Sequence, residues 1–366
     1  MIHLARYGAA LRLSSTITAL FLCSVHTLAE DVSLDCHGEP KQLTAMDTDL
    51  RSLPTATPVP VTVGLFVEDL RDIDAVTDSF RFRGVIRVSW CDPRQAFDPA
   101  IEGSEEKVFF GAEALAVQTD AMWTARGFPV NQVDSFDITE RVVRIRHDGH
   151  VNGDLNVSIR LSAQFDLRRF PFDTQLLRFY IESFTWNANQ VVFVADDSTT
   201  GFADDFKMPE WTITDVRAHV DEVDVTRSVQ PFSRLVLTME INRQSGFYVW
   251  KVMLPLLIIV ALSWSVFWMS DEKFGIRVRT TATGILTIVA YQFVAGQALP
   301  RLGYLTLMDK IMVGSFVLLG VTVLESYVVS RFPEDQHDKA KTVDRAARWM
   351  FPLAYCSMIS MISLTA

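Results

Sequence analysis

Between residues 277 and 297 polar side chains interrupt an otherwise apolar run: Arg277, Arg279, Thr280, Thr281, Thr283, Thr287, Gln292 and Gln297. Inside a membrane such groups face a bundle interior or water, because hydrocarbon cannot solvate them. Helical steps of four and three put Arg279, Thr283, Leu286, Ala290, Phe293 and Gln297 on one stripe. The stripe is charged at one end, hydroxylated next, apolar in the middle and polar at the far end. The chemistry open to it is ion passage, with the apolar rings closing the path by dewetting. A buried helix in a monomeric bundle, its threonines bonding back to their own backbone, has the same pattern. If the stripe does line a path, one chain supplies one such helix. Several copies must then meet around a symmetry axis.

Other chemistry is poorly represented. The sequence holds no His-Glu-x-x-His, no Gly-x-Ser-x-Gly, no Cys-x-x-Cys and no glycine-rich phosphate loop, and its seven histidines are scattered. An enzyme is therefore not expected, nor a cofactor or a bound metal. A net charge of −10 argues against nucleic acid as a partner. The acids gather before residue 245, in pairs such as Glu68-Asp69, Asp196-Asp197, Asp204-Asp205 and Asp221-Glu222.

The elements that must position the stripe can be read along the chain. Residues 1–29 have the make-up of a signal peptide: Arg6 and Arg12, a short apolar stretch from Ile17 to Val25, then Thr27-Leu28-Ala29. The next segment, 30–244, is expected outside the cytoplasm, where disulfides persist. Of four cysteines, Cys36 and Cys91 share this segment, as a bridge or as two separate thiols; Cys356 falls in a late apolar stretch and is expected in packing. From residue 45 onward, short alternating runs such as Val59–Val67, Arg81–Trp90 and Arg141–Arg146 predict about ten strands, with Asp148-Gly149 as a turn. Such spacing fits a sandwich or a barrel.

At Phe247 the composition turns apolar. Helical spans are expected over about 247–269, 276–298, 305–331 and 344–366, making 245–366 a membrane domain. Trp250, Trp264, Trp268, Tyr304, Tyr327 and Trp349 fall near the expected interfaces. Arg331, Lys339, Lys341, Arg345 and Arg348 mark the link before the last span as cytoplasmic.

Four motifs then carry a resemblance. They are Phe165-Asp166-Leu167-Arg168-Arg169-Phe170-Pro171-Phe172-Asp173-Thr174-Gln175, Trp264-Ser265-Val266-Phe267-Trp268, Leu299-Pro300-Arg301-Leu302, and Arg243 twelve residues before Pro255. From Pro58 to the C-terminus the sequence resembles the pentameric ligand-gated ion channels, the Cys-loop receptor superfamily, and its prokaryotic branch above all. Ala163 and Leu177 stand where animal receptors carry the loop cysteines. The resemblance implies an all-β immunoglobulin-like sandwich above a four-helix bundle. It implies a homopentamer in the bacterial inner membrane, with the sandwich in the periplasm. Lipid, a small-molecule agonist (an amine or other) and permeating inorganic ions are the implied partners.

The resemblance also assigns residues. An agonist site at subunit interfaces would use Trp123, Glu182, Phe184, Trp186 and Phe232 of one subunit and Phe66 of its neighbour. The capping loop Val223–Phe232 is short, and Trp123-Thr124-Ala125-Arg126 lacks the usual proline. Coupling between the domains would rest on Phe172, Asp173, Arg243 and Pro300. Asp173 is expected to pair with Arg243, joined by an acid from Glu68 to Asp74, above all Asp72 or Asp74. Cation-conducting relatives place a glutamate where Gly275 and Ile276 stand, and Arg277-Val278 resembles the anion-conducting pattern. With Arg279 opening the stripe, anion selectivity is the expectation. Cation selectivity is the alternative, with Arg279 paired instead to Asp271 or Glu272.

Overall fold

The computed structural model describes residue 36 and residues 52–54, 57–135, 137–203, 207–226, 228–269, 274–295, 301–333 and 337–365. The expected leader, and Asp271, Glu272, Gln297 and Pro300, lie outside the described residues. The described residues pack as one compact unit.

Alternating apolar residues fold the first part into strands. They are β1 (Val59–Asp74), β2 (Ser79–Cys91), β3 (Glu106–Phe110), β4 (Gly127–Pro129), β5 (Asp137–Arg146), β6 (His150–Ser162), β7 (Thr174–Ser183), β8 (Val191–Ala195), β9 (Gly201–Phe202), β10 (Trp211–Val223) and β11 (Phe232–Arg243). One sheet runs β3-β5-β6-β2-β1-β8, with β9 also beside β1, and the other runs β10-β11-β7-β4. On β1, Val59, Val61, Val63, Leu65 and Val67 are buried, so the period of two aims one face at the facing sheet. Phe82 of β2 meets Phe179 of β7 edge to face across the core, 5.1 Å between ring centres. Gly149 between β5 and β6 has φ +90, and a Cβ there would lie 2.7 Å from the Asp92 carbonyl oxygen. The Asp-Gly turn thus needs its glycine for two reasons. Short helical turns at Pro99–Glu102 and Gly111–Ala116 break the strand pattern, and no clear sequence period announces them.

Four helical elements follow the sandwich: α1 (Gly246–Trp268), α2 (Phe274–Ala295), α3 (Leu307–Ser330) and α4 (His337–Thr365). Both α1 and α3 are long and apolar enough to cross a membrane. At 22 residues, α2 is about 33 Å long. The first turn of α3 is fixed by a capping box, in which Thr306 and Asp309 satisfy each other's backbone amides. Its buried residues Ile311, Ser315, Leu319, Thr322 and Ser326 recur at helical spacing. On α4 the buried stripe is Ala340, Asp344, Ala347, Phe351 and Tyr355. The fourth helix starts earlier than expected because its amphipathic pattern extends past the apolar run. Two of the residues expected near the interfaces are half-buried: Trp264 meets Tyr355 at 5.6 Å, and Tyr304 accepts from the Leu167 amide of the sandwich. Cys356, expected in packing, is exposed, because it lies beside the buried stripe rather than on it.

The two parts share a core. Leu167 and Phe170, from the loop between β6 and β7, pack in one cluster with Leu256, Val260, Ile288, Leu307 and Met308.

A disulfide joins Cys36 to Cys91 at the end of β2, with Cα atoms 5.5 Å apart. It closes a separation of 55 residues. Changing both cysteines to serine should destabilise the sandwich by roughly 2–5 kcal/mol. Thermal unfolding checks this, and the double mutant should melt alike with and without reductant.

Candidate functional site

The junction between sandwich and helices is built around one guanidinium. Arg243, the last residue of β11, donates from Nε to Asp173 Oδ1 at 2.8 Å and from Nη2 to Oδ2 at 3.1 Å. Backbone pairing brings them together, since the Arg243 amide also donates to the Asp173 carbonyl at 3.2 Å. The two side chains are only 8% and 1% exposed. Gln175 Nε2 donates to the same carboxylate at 2.6 Å and to the Asp166 carbonyl at 2.8 Å. The guanidinium lies 4.1 Å from the Trp211 ring centre and 5.0 Å from that of Phe170. A buried pair so enclosed is strongly coupled, and losing one partner strands the other. The same loop grips the far side of the junction. The Leu167 amide donates to Tyr304 Oη at 3.1 Å, and the Leu307 amide to the Arg168 carbonyl at 2.8 Å.

Neither expected third acid joins this pair. Asp72 pairs with Arg81 at 3.0 Å. Asp74 accepts from the Val76 amide at 2.8 Å and from the Thr77 hydroxyl at 2.9 Å. These bonds, the backbone amide of Val76 first, hold the Asp74 carboxyl below the usual carboxylate range. Short local bonds win over the longer reach to Arg243, whose carboxylate need Asp173 already meets. From this turn, Ala75 is what packs against the shared core. Phe172 is exposed.

The α2 stripe faces away from the packing. Arg279, Thr283, Leu286, Ala290 and Phe293 are all exposed, with Leu286 at 69% and Phe293 at 74%. Arg277, Thr281, Gly284 and Ile288 are buried on the opposite side. Thr283 donates its hydroxyl to the Arg279 carbonyl at 2.9 Å, and Thr287 to that of Thr283 at 2.8 Å. Among the described residues Arg279 has no carboxylate partner.

The expected aromatic site is largely closed. Trp123 is 1% exposed, between Trp90 at 6.1 Å and Trp186 at 6.2 Å. Phe232 is buried, and Trp186 packs against the sandwich core. Glu182 is buried too, paired to Arg234 at 2.8 Å. Only Phe184 and Phe66 are exposed, and Phe184 meets Phe128 edge to face at 6.1 Å. Within the single chain Trp123 and Trp186 therefore pack with the sandwich core, and Phe232 is buried. Their apolar bulk is worth more buried than presented to water. Among the described residues no cluster of His, Cys, Asp and Glu is placed to hold a metal.

A family profile for the neurotransmitter-gated ion-channel ligand binding domain matches residues 43–245, more than half of the chain. The chain belongs to the ligand-gated ion channels. It is 25% identical over 299 residues to a protein from Gloeobacter violaceus named as a proton-gated ion channel, covering 81% of this chain and 80% of that one. It is 25% identical over 353 residues to the gamma-aminobutyric acid receptor subunit beta-4 of Gallus gallus, covering 92% and 70%. This family is one of channels, not of enzymes.

Other features of this channel subunit escape a reading of the sequence. Asp154 on β6 bonds Arg87 at 2.7 Å and Arg144 at 2.5 Å. Burial opposes its charge, yet the two arginines outweigh that and hold its carboxyl below the ordinary range. A cavity of about 450 Å³ between the sheets is lined by Val63, Ile86, Trp90, Phe179 and Phe193, with Arg126 and Arg141 among its polar residues. Arg141 donates to Gln118 at 2.6 Å, and burial lowers its pKa. Arg87 and Asp154 are 67 residues apart, and the cavity is lined from Val63 to Phe193, so neither feature leaves a local pattern.

The sealed junction predicts the behaviour of Arg243→Ala. The variant leaves Asp173 buried without its cation, a loss of roughly 3–5 kcal/mol across the contact. It should still reach the membrane and assemble but open poorly. Surface labelling beside macroscopic current checks this, and native-like currents would reject it.

Proposed function

We propose that the chain forms a homopentamer in the bacterial inner membrane, with the sandwich in the periplasm. A small-molecule agonist binds at interfaces of the sandwich, and an anion-selective pore lined by α2 opens in response. The observation that carries this reading is the division of α2 into two faces. Arg279, Leu286 and Phe293 share the exposed face, while Arg277 is buried behind it. Copies of that face around an axis would give a positive ring followed by apolar rings. Rings of arginine favour anions, and apolar constrictions gate by dewetting. The Arg243–Asp173 junction supplies the connection from sandwich to helices. Because Arg234 already pairs with Glu182, screens for the agonist should span small carboxylates as well as amines.

One observation favours the opposite selectivity. The hydroxyls of Thr283 and Thr287 donate to their own helix, so they offer a passing ion only acceptor oxygens. Such oxygens suit cations, and any anion preference then rests on Arg279 alone. Reversal potentials in asymmetric NaCl decide between the two. The chloride potential is expected for the native channel, with a loss of that preference in Arg279→Gln. A native reversal near the sodium potential would overturn anion selectivity.

The apolar constriction has its own test. Leu286→Ser places a hydroxyl in one of the proposed apolar rings and should wet it, raising resting current and lowering the agonist concentration for opening. Unchanged resting current and agonist sensitivity would mean that α2 presents another face.

A further inference from the structure

Behind the exposed stripe, three helices meet at three charges. Arg277 of α2 donates from Nη2 to Asp344 Oδ1 of α4 at 2.7 Å and to Glu325 Oε2 of α3 at 3.2 Å. A second bond runs from Arg277 Nη1 to Asp344 Oδ2 at 3.4 Å. The side chains of Arg277 and Asp344 are 2% and 1% exposed, and that of Glu325 is 11% exposed. Arg277 Nε and Glu325 Oε1 find no partner, so the cluster is not fully satisfied. Burying such groups rarely gains stability over apolar packing, and the best attested use of a buried polar cluster is to fix register.

We propose that this cluster is a positioning device for the pore helix. Arg277 fixes the rotation of the cytoplasmic half of α2, so that Arg279 faces the lumen, and through Asp344 it ties that rotation to α4. The proposal rests on the reading of α2 as the pore lining. Two residues along a helix are about 200° apart, so burying Arg277 turns Arg279 outward. The packed residues above it carry no such direction. Gly284 lies against the Ser263 side chain of α1, and Ile288 sits in the apolar cluster. Among the described residues, directional bonding from α2 to another helix returns only near the outer end, where the Tyr291 hydroxyl donates to the Lys251 carbonyl at 2.5 Å. Two anchors therefore hold α2, one near each end, and loosening the inner one should free only the inner half.

Cysteine accessibility tests this in a Cys356→Ser background, using a small neutral thiol reagent on the assembled channel. With the cluster intact, Thr283→Cys should react fast and Thr281→Cys slowly. Adding Asp344→Asn should bring the two rates together or reverse their order, while Phe293→Cys keeps its rate. Asp344→Glu should restore the native order. Glu325→Gln, which removes the longer single contact, should give a smaller shift in the same direction; it serves as the test if Asp344→Asn does not assemble. A reactive Thr283→Cys whose rate ignores both substitutions overturns the positioning role alone. An unreactive Thr283→Cys in a conducting channel with its cluster intact overturns the pore stripe, and this proposal with it.

Discussion

The fold depends most on a charge that has nowhere else to go. Arg243 is sealed between Trp211 and Phe170, and its guanidinium meets a carboxylate that is itself sealed. A planar fork matches a carboxylate in one orientation, so this contact sets distance and angle together. Everything on the loop that carries Asp173 inherits that placement. Leu167 and Phe170 enter the helical core from it, and its backbone receives Tyr304 and Leu307. The sandwich and the helices are therefore not two bodies resting against each other. They share a hydrophobic cluster whose position an ion pair determines.

The same device recurs. Arg234 pairs with Glu182 inside the sandwich, and Arg277 with Asp344 and Glu325 at the other end of the helical domain. In each case arginine joins segments far apart in sequence. Apolar contact alone would let such surfaces slide, because dispersion and the hydrophobic effect have little direction. Directional hydrogen bonds from the guanidinium stop the sliding. Soft apolar surfaces with a few directional pins allow a helix or a loop to move as a unit and return to one place.

The sequence is informative wherever the physics is local. Period-two alternation marks β1 and β2, the Asp148-Gly149 turn follows from its residue types, and the polar stripe on α2 can be traced by counting. Partner choice is where local reasoning stops. Asp74 is expected to join Arg243, yet it spends its oxygens on Val76 and Thr77. The resemblance assigns Trp123 to an agonist site, and only the three-dimensional packing reveals that Trp90 and Trp186 enclose it. Arg277 and Asp344 are 67 residues apart on different helices, without any periodicity that links them. Their types announce that each needs a partner in a membrane setting, but not which one.

Only Gln244 and Ser245 separate the end of β11 from the start of α1. Two residues span at most about 7 Å, so the connection holds almost no slack. The strand pairs along nearly its whole length with β10 on one side and β7 on the other. It is stiff for that reason, from Phe232 down to Arg243. A push at the far end of such a strand is not absorbed along the way. It arrives at the first helix as displacement, with the strand serving as a connecting rod and the short link as its coupling pin.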